Sequence, residues 1–297
     1  MKKIWILSLA AFSILSCGRF RHKEPDGTKS LRIVCVSKQL TEMVFALGRG
    51  HDIVARDLTS TYPDSAKLLP TVGYHRLLSV EGIISMNPDV VIHSNDIGPE
   101  TVIPKLKDAG LYLKAFGSAN SYDSSRMLLK ELAAFLGETK RADSIIAKMD
   151  ADMNAVYAAR KQYTDTPTVM VIHYGQANNN FFVMSGRKNE GPADRMIKLA
   201  GGKVCVYDAK GAKQISAEAV ALANPDVIIA TDFGYDKMGG EENFKTVPGV
   251  GLTNAAKNNR IYRFEEHDLV YFGPRTAENI MKLMSLIHPA TNAPAKK

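Results

Sequence analysis

A phenol, an imidazole and a guanidinium stand side by side in Gly73-Tyr-His-Arg76. The glycine argues for a tight, exposed turn. A loop between a strand and a helix of an α/β lobe points to where ligands bind, outside the carboxyl ends of the strands, so Tyr74 is placed to touch a ligand. A second imidazole and phenol, His173 and Tyr174, follow the apolar run of Met170-Val-Ile-His-Tyr174. A histidine there is either a donor to a ligand or a structural group. Two acids, Glu81 and Glu218, each sit two residues after a serine that can cap a helix. A carboxylate in a first turn gains ~0.3–1 kcal/mol from the helix dipole. No catalytic constellation accompanies these groups: G-x-S-x-G, H-E-x-x-H, the P-loop and the dinucleotide glycine fingerprint do not occur, and Gly201-Gly202 and Gly239-Gly240 read as turns.

The elements that must position these residues announce themselves through a repeat. Ser79-Val-Glu-Gly-Ile-Ile-Ser-Met-Asn-Pro-Asp-Val-Val-Ile92 recurs as Ser216-Ala-Glu-Ala-Val-Ala-Leu-Ala-Asn-Pro-Asp-Val-Ile-Ile229, with the Ser-x-Glu start and the Asn-Pro-Asp-Val stop intact. Such self-similarity implies two similar Rossmann-like α/β lobes with a ligand cleft between them. The chain of 297 residues is long enough for two domains of ~100–200 residues each.

Short β-rich runs at 31–36, 53–55, 90–93 and 111–116 alternate with helical patterns at 39–47, 79–86 and 100–109, which predicts a parallel sheet covered on both faces. Residues 124–162 are helix-forming apart from a break near Gly137. The second part, 140–163, spans roughly 35 Å at ~1.5 Å per residue and is the expected strut between lobes. A single stiff strut limits closure to small angles and leaves the cleft largely preformed. Alternation then resumes, with strands at 169–173, 181–184, 204–207, 227–230 and 261–264 and helices at 193–200, 217–223 and 276–287. The predicted divisions are a leader at 1–17, a tether at 18–30, an N-terminal lobe at 31–123, a helical region at 124–163, a C-terminal lobe at 164–288 and a disordered tail at 289–297.

Lys2 and Lys3 precede an apolar run that ends before Ser16 and Cys17, the pattern of a cleaved signal and too short to span a bilayer. Ile14-Leu-Ser-Cys17 also resembles a bacterial lipobox. That resemblance implies an acylated Cys17 and a protein anchored in the cell envelope, facing the periplasm or exterior. Cys35 and Cys205 lie in apolar runs of different lobes and read as buried core residues. The net charge of +7 is modest and unclustered, which excludes a nucleic-acid partner.

Ser60-Thr-Tyr-Pro63, Leu69-Pro-Thr-Val-Gly-Tyr-His-Arg76, Leu78-Ser-Val-Glu-Gly82, Pro248-Gly-Val-Gly-Leu-Thr253 and Phe272-Gly-Pro-Arg-Thr276 occur in an order that resembles the periplasmic haem-binding proteins of bacterial ABC importers. These belong to the helical-backbone class that also serves cobalamin and siderophores, and the resemblance covers residues 31–287. It implies that Tyr74 binds the ferric iron of a transported haem, with no catalytic cofactor, and that Arg76 hydrogen-bonds or screens the phenolate. The chemistry agrees, because ferric iron is a hard Lewis acid that stabilises a phenolate at neutral pH. His75 replaces an apolar residue of the motif; it is a second donor or points outward, the latter expected if neighbours in an extended loop face opposite ways. His173 corresponds to a histidine that in some members completes the iron coordination from the opposite wall, with Tyr174 as the alternative.

The porphyrin plane needs apolar walls, for which Phe181, Phe182, Met184, Tyr235, Tyr271 and Phe272 are candidates, and its propionates need partners, for which Arg56, Arg187 and Lys188 are candidates. Glu81 and Glu218 match the paired acids that dock onto permease arginines. The implied partners are haem, the permease and its ATPase, and a membrane through the lipid anchor, with the protein itself a monomer. The runner-up cargo is a ferric siderophore or a corrinoid. A haem-modifying enzyme is a different-class alternative, and a haem-buffering surface lipoprotein without a permease is a third.

Overall fold

The computed structural model describes residues 24–176, 180–185, 191–205 and 211–288. In the N-terminal lobe, β1 (Ile33–Val36), β2 (Ile53–Arg56), β5 (Val90–His93) and β6 (Leu113–Ala115) form a parallel sheet in the order β2-β1-β5-β6, while β3 (Gly73–Tyr74) and β4 (Leu77–Leu78) form a separate hairpin. Every residue of β1 and β5 is buried. These two strands therefore read as unbroken apolar runs, as expected of parallel strands covered on both faces.

The C-terminal lobe contains β7 (Thr168–Gln176), β8 (Asn180–Ser185), β9 (Lys203–Val204), β10 (Gly211–Ile215), β11 (Val227–Thr231) and β12 (Ile261–Phe264). Their order is β10-β8-β7-β11-β12, with β9 on β7. Here a purely parallel expectation fails, because β8 runs antiparallel to both β7 and β10. β7 and β8 are close in sequence and pair directly, which requires no crossover helix.

The repeated segment has a structural meaning in both lobes. Ser79 and Ser216 cap the helices Val80–Ser85 and Ala217–Ala223, accepting hydrogen bonds from the amides of Gly82 and Ala219 at 2.9 and 3.3 Å. Asn87 and Asn224 take the left-handed conformation that ends each helical segment, with φ of 46° and 40°. Asp89 then accepts from the amide of Arg32 at 2.8 Å, and Asp226 from that of Thr168 at 2.9 Å. Each aspartate thus ties its helix exit to the entrance of its lobe's first strand. Serine, asparagine and aspartate are repeated for folding. The glutamates add only the modest gain of a carboxylate in a first turn.

One helix, Thr139–Arg160, joins the lobes; its 22 residues extend ~33 Å. Its buried residues Ala142, Ile146, Met149, Met153 and Val156 recur at alternating steps of four and three, which keeps them on one stripe. The first three belong to the core of the N-terminal lobe and the last two to that of the C-terminal lobe. The preceding helix, Tyr122–Leu136, ends at Gly137 with φ 73°, a left-handed turn that allows the reversal. The expected architecture of two α/β lobes on a single backbone helix is the one observed.

Residues 26–30 depart from the tether expected of 18–30. The Arg49 guanidinium donates to the carbonyls of Gly27 at 2.9 Å and Lys29 at 2.5 Å, and the Ser30 hydroxyl to Asp52 at 3.0 Å. Unsatisfied carbonyls meeting a buried arginine pin this segment to the N-terminal lobe. The leader with Cys17 and the tail at 289–297 lie outside the described residues. No helix among the described residues is long and apolar enough to cross a membrane. Cys35 is fully buried, whereas Cys205 is only half-buried, and burial pushes both thiols up to about 12.

Candidate functional site at the cleft between the lobes

Tyr74 is displayed at the tip of the β3–β4 hairpin, 42% exposed. Gly73 makes the approach possible: its φ is +104°, and a Cβ there would lie 2.8 Å from the Leu77 carbonyl. The hairpin is anchored by backbone bonds from Leu58 to Gly73, from Gly98 to His75 and from Leu78 to Gly98 at 2.8, 2.9 and 3.0 Å. Because His75 and Arg76 form the turn, alternation does not apply. The His75 ring does not point away from Tyr74 but packs edge-on against it, with centroids 4.4 Å apart. His75 is the more buried of the two, and its Nε2 lies 3.7 Å from Asp96 Oδ2. Arg76 stays exposed, 3.8 Å from the same carboxylate oxygen. Asp96 therefore sits beside both the imidazole, which burial holds below the usual histidine value, and the guanidinium that follow the phenol.

On the facing lobe His173 occupies a β-bulge: the pairing passes from Ile172 with Val183 to Tyr174 with Phe182, leaving His173 as the extra residue. Bulges re-aim a side chain out of the alternating pattern. Thr231 fixes the ring. Its hydroxyl donates to the His173 carbonyl at 2.7 Å, so its oxygen, 3.2 Å from Nδ1, can only accept. Burial holds the imidazole below the usual histidine value, reinforced by Lys38 and opposed by Glu266. Lowered in this way and with Nδ1 as the donor to Thr231, the ring presents Nε2, which has no partner among the described residues, as the nitrogen able to bind a metal. Phe233, 39% exposed, lies with its ring centroid 5.5 Å from that of His173.

Three side chains in the first half of the helix Lys38–Ala46 hold the lobes together beneath these walls. Lys38 pairs with Glu266. Gln39 donates to the Phe272 carbonyl at 2.7 Å while exchanging bonds with the Ala119 backbone at 2.9 and 3.0 Å. Glu42 receives His267 at 2.5 Å and Arg275 at 3.0 Å, and Arg275 also reaches Asp268 at 2.8 Å and stacks 3.5 Å from the Tyr62 ring centroid. Burial pushes the Glu42 carboxyl up, but hydrogen bonds and charge from His267 and Arg275 outweigh it and hold it below the usual glutamate value. The Lys38 ammonium works against protonation of both His75 and His173, which places it within reach of both walls. None of Lys38, Gln39, Glu42, Phe233 or Glu266 stands out in the sequence. The available signal is a lysine and a glutamate four residues apart in a helix that leaves a fully buried strand.

The remaining expected ligand contacts divide. Tyr271 lies at the cleft, its ring 5.5 Å from Lys38 Nζ. Burial pushes its phenol up, aided by Glu266 from its own lobe and Asp96 and Asp57 from the other. Phe182 and Met184 are half-buried on β8. Phe272 is fully buried in the core of the C-terminal lobe and offers no wall. Tyr235 turns inward and stacks on Phe244 at 6.0 Å. Arg56 cannot serve an anion: it is buried and donates to the carbonyls of Ala66, Asp57, Leu58 and Lys67 at 2.7, 3.0, 3.2 and 3.3 Å. An arginine ending a strand looks like surface charge in sequence, whereas here it stitches two loops. Phe181 and Tyr174 are described in their backbone only, and Arg187 and Lys188 lie outside the described residues. A cavity of about 910 Å³ beside the long helix is lined by Tyr62, Lys148, Met149, Arg275 and Met281, among others, but not by Tyr74, His173, Phe233 or Lys38. Glu81 and Glu218 are both exposed at the starts of their capped helices.

Two α/β lobes joined by one long helix, with the Tyr74 phenol on one and the His173 imidazole on the other, make up a two-lobed binding-protein architecture. The model of the family described as "Periplasmic binding protein" matches residues 33–267, and the chain belongs to that family. Among solved structures it is similar to the periplasmic heme-binding protein RhuT from Roseiflexus sp. RS-1 in apo form, with a TM-score of 0.81 and 32% identity, covering 87% of this chain and 98% of that one. It is also similar to the periplasmic heme-binding protein BhuT in complex with two hemes, with a TM-score of 0.79 and 30% identity over 88% and 100% of the two chains. In sequence it is 27% identical, over 91% of this chain and 82% of the relative, to the uncharacterized ABC transporter substrate-binding lipoprotein YvrC of Bacillus subtilis. It is 24% identical, over 67% and 69%, to the vitamin B12-binding protein of Yersinia pestis.

Proposed function

We propose that the chain is the substrate-binding component of an ABC importer for haem, holding ferric haem in the cleft and delivering it unchanged to a permease. What supports this is a hairpin-borne phenol, Tyr74, on one lobe and on the other an imidazole, His173, whose Nε2 has no partner among the described residues. A hard phenolate and a neutral imidazole suit ferric iron carried inside a macrocycle. Phe233 and Tyr271 supply aromatic faces for that macrocycle. The likeness to RhuT and BhuT supports the cargo, and that to YvrC supports anchoring through Cys17, left as the new N-terminus after cleavage of residues 1–16.

The test is an absorption titration of the purified protein with hemin. A saturable Soret band with a charge-transfer feature is expected, and cyanocobalamin should not displace it. No saturable spectral change, with cyanocobalamin bound instead, would replace haem with a corrinoid on the same scaffold.

Delivery is the task left for Glu81 and Glu218. Each projects from a short capped helix at the same place in its lobe, with an exposed aliphatic residue one turn on: Ile84 at 42% and Leu222 at 88%. Paired charges on rigid mounts match a two-fold cationic partner such as a permease. Reversing both, Glu81→Lys with Glu218→Lys, should leave the hemin titration unchanged and reduce haem uptake by cells to background. Uptake at the unaltered rate would remove these residues from docking.

A further inference from the structure

Lys38 is a buried ammonium inside the cleft: its side chain is 8% exposed and that of its partner Glu266 12%. The two are 228 residues apart and belong to opposite lobes. Lys38 Nζ sits 5.5 Å from the ring centroids of both Phe233 and Tyr271. The Phe233 ring in turn lies 5.5 Å from His173, so a flat ligand bound to His173 and covering Phe233 arrives at this ion pair. Glu266 is already crowded by acid: its amide donates to Asp232 at 2.7 Å, and burial pushes the Asp232 carboxyl up, opposed by that bond and reinforced by the charges of Glu265 and Glu266. Among the described residues, two other cations near the cleft are committed differently. Arg56 is spent on backbone carbonyls, and Arg76 lies exposed near Asp96. A ligand carboxylate cannot stand in for four carbonyls, but it can replace the carboxylate of Glu266 like for like.

We propose that Lys38 selects for carboxylate-bearing ligands: Glu266 holds its ammonium across the cleft until a carboxylate of the bound macrocycle takes it over. This deepens the reading of the cleft as a haem site and rests on it. The exchange never leaves the ammonium without a counter-charge, and the released Glu266 carboxylate must take up a proton or reach water for the exchange to escape the penalty of an unpaired buried ion. It also exchanges an interlobe tie for a contact between protein and ligand, which loosens one of the bonds from the first turn of Lys38–Ala46. A corrinoid, whose periphery carries amides, cannot make the exchange.

The experiment titrates the wild-type protein, Lys38→Met and Glu266→Gln with hemin and with hemin dimethyl ester, which keeps the iron and the ring but lacks free carboxylates. The wild type should prefer hemin. Lys38→Met, which keeps the apolar stem, should bind hemin about tenfold to 100-fold more weakly, the worth of one charge-assisted hydrogen bond, and bind the ester as the wild type does. Glu266→Gln, with the competing carboxylate gone, should bind hemin more tightly. If Lys38→Met keeps the preference, or weakens both ligands equally, or if Glu266→Gln weakens hemin binding, the pair is structural and the proposal is overturned. If the wild type binds neither compound, the haem reading itself falls, a result distinct from any of these.

Discussion

Replacing Tyr74 with phenylalanine is expected to abolish the charge-transfer feature of phenolate-bound ferric haem and to weaken hemin binding by about 100-fold. The substitution removes one oxygen from an exposed ring on a hairpin whose shape is set by Gly73 and by backbone hydrogen bonds. The fold should not notice, since exposed positions without such constraints change stability by only ~0.5 kcal/mol. The ligand should. A bond to a charged partner is worth ~1.5–3 kcal/mol even when it is only a hydrogen bond, and at ~1.4 kcal/mol per tenfold a metal bond lost outright is at least of that order. His173→Ala makes the control: it removes the donor on the facing lobe, keeps the phenolate feature and changes the sixth-ligand signature. A Tyr74→Phe protein with the wild-type spectrum and affinity would place the iron elsewhere, with His75, packed 4.4 Å from Tyr74, as the next donor to remove.

Much of the scaffold that presents Tyr74 is legible in the sequence because local rules suffice for it. The helices Ala217–Ala223 and Thr276–Ile287 and the strand Ile261–Phe264 appear where periodicity places them. The long helix is legible from its length and from Gly137, and the two lobes from the repeat. The strands β8 and β10 are harder to read, because the antiparallel pairing of β8 with both β7 and β10 is a decision about partners that a single β-rich run does not record.

The site divides along the same line. Tyr74 is readable because its glycine and its turn are neighbours in sequence. The aim of His173 comes from a bulge against β8 and a bond to Thr231, 58 residues away, and neither is visible in an apolar run ending in histidine. Arg56 and Phe272 mislead for the converse reason: residue type marks them as ligand contacts, while burial and backbone bonding have already used them.

The largest loss of stability should come from a residue that sequence patterning passes over. Glu42→Ala is expected to destabilise the protein by ~3–5 kcal/mol, the range for removing one partner of a buried ion pair. Glu42 is 7% exposed and joins the first lobe to His267 and Arg275 of the second. Without it, the Arg275 guanidinium retains Asp268 at 2.8 Å, but the side of the fork that faced Glu42 is buried without an acceptor. Urea unfolding at neutral pH measures the change.

The pH dependence separates this account from simple loss of packing. Because the Glu42 carboxyl is held below the usual glutamate value in the folded protein, its ionised form contributes stability that is fully present above the unfolded value, ~4.3, and disappears as pH falls through the lowered folded value. Glu42→Gln keeps the shape and lacks the charge. It should therefore be less stable than the wild type at neutral pH and approach it at acid pH, where the wild-type carboxyl is protonated as well. A difference between Glu42→Gln and the wild type that stays constant down through this range would show that shape, and not charge, makes Glu42 the tie between the lobes.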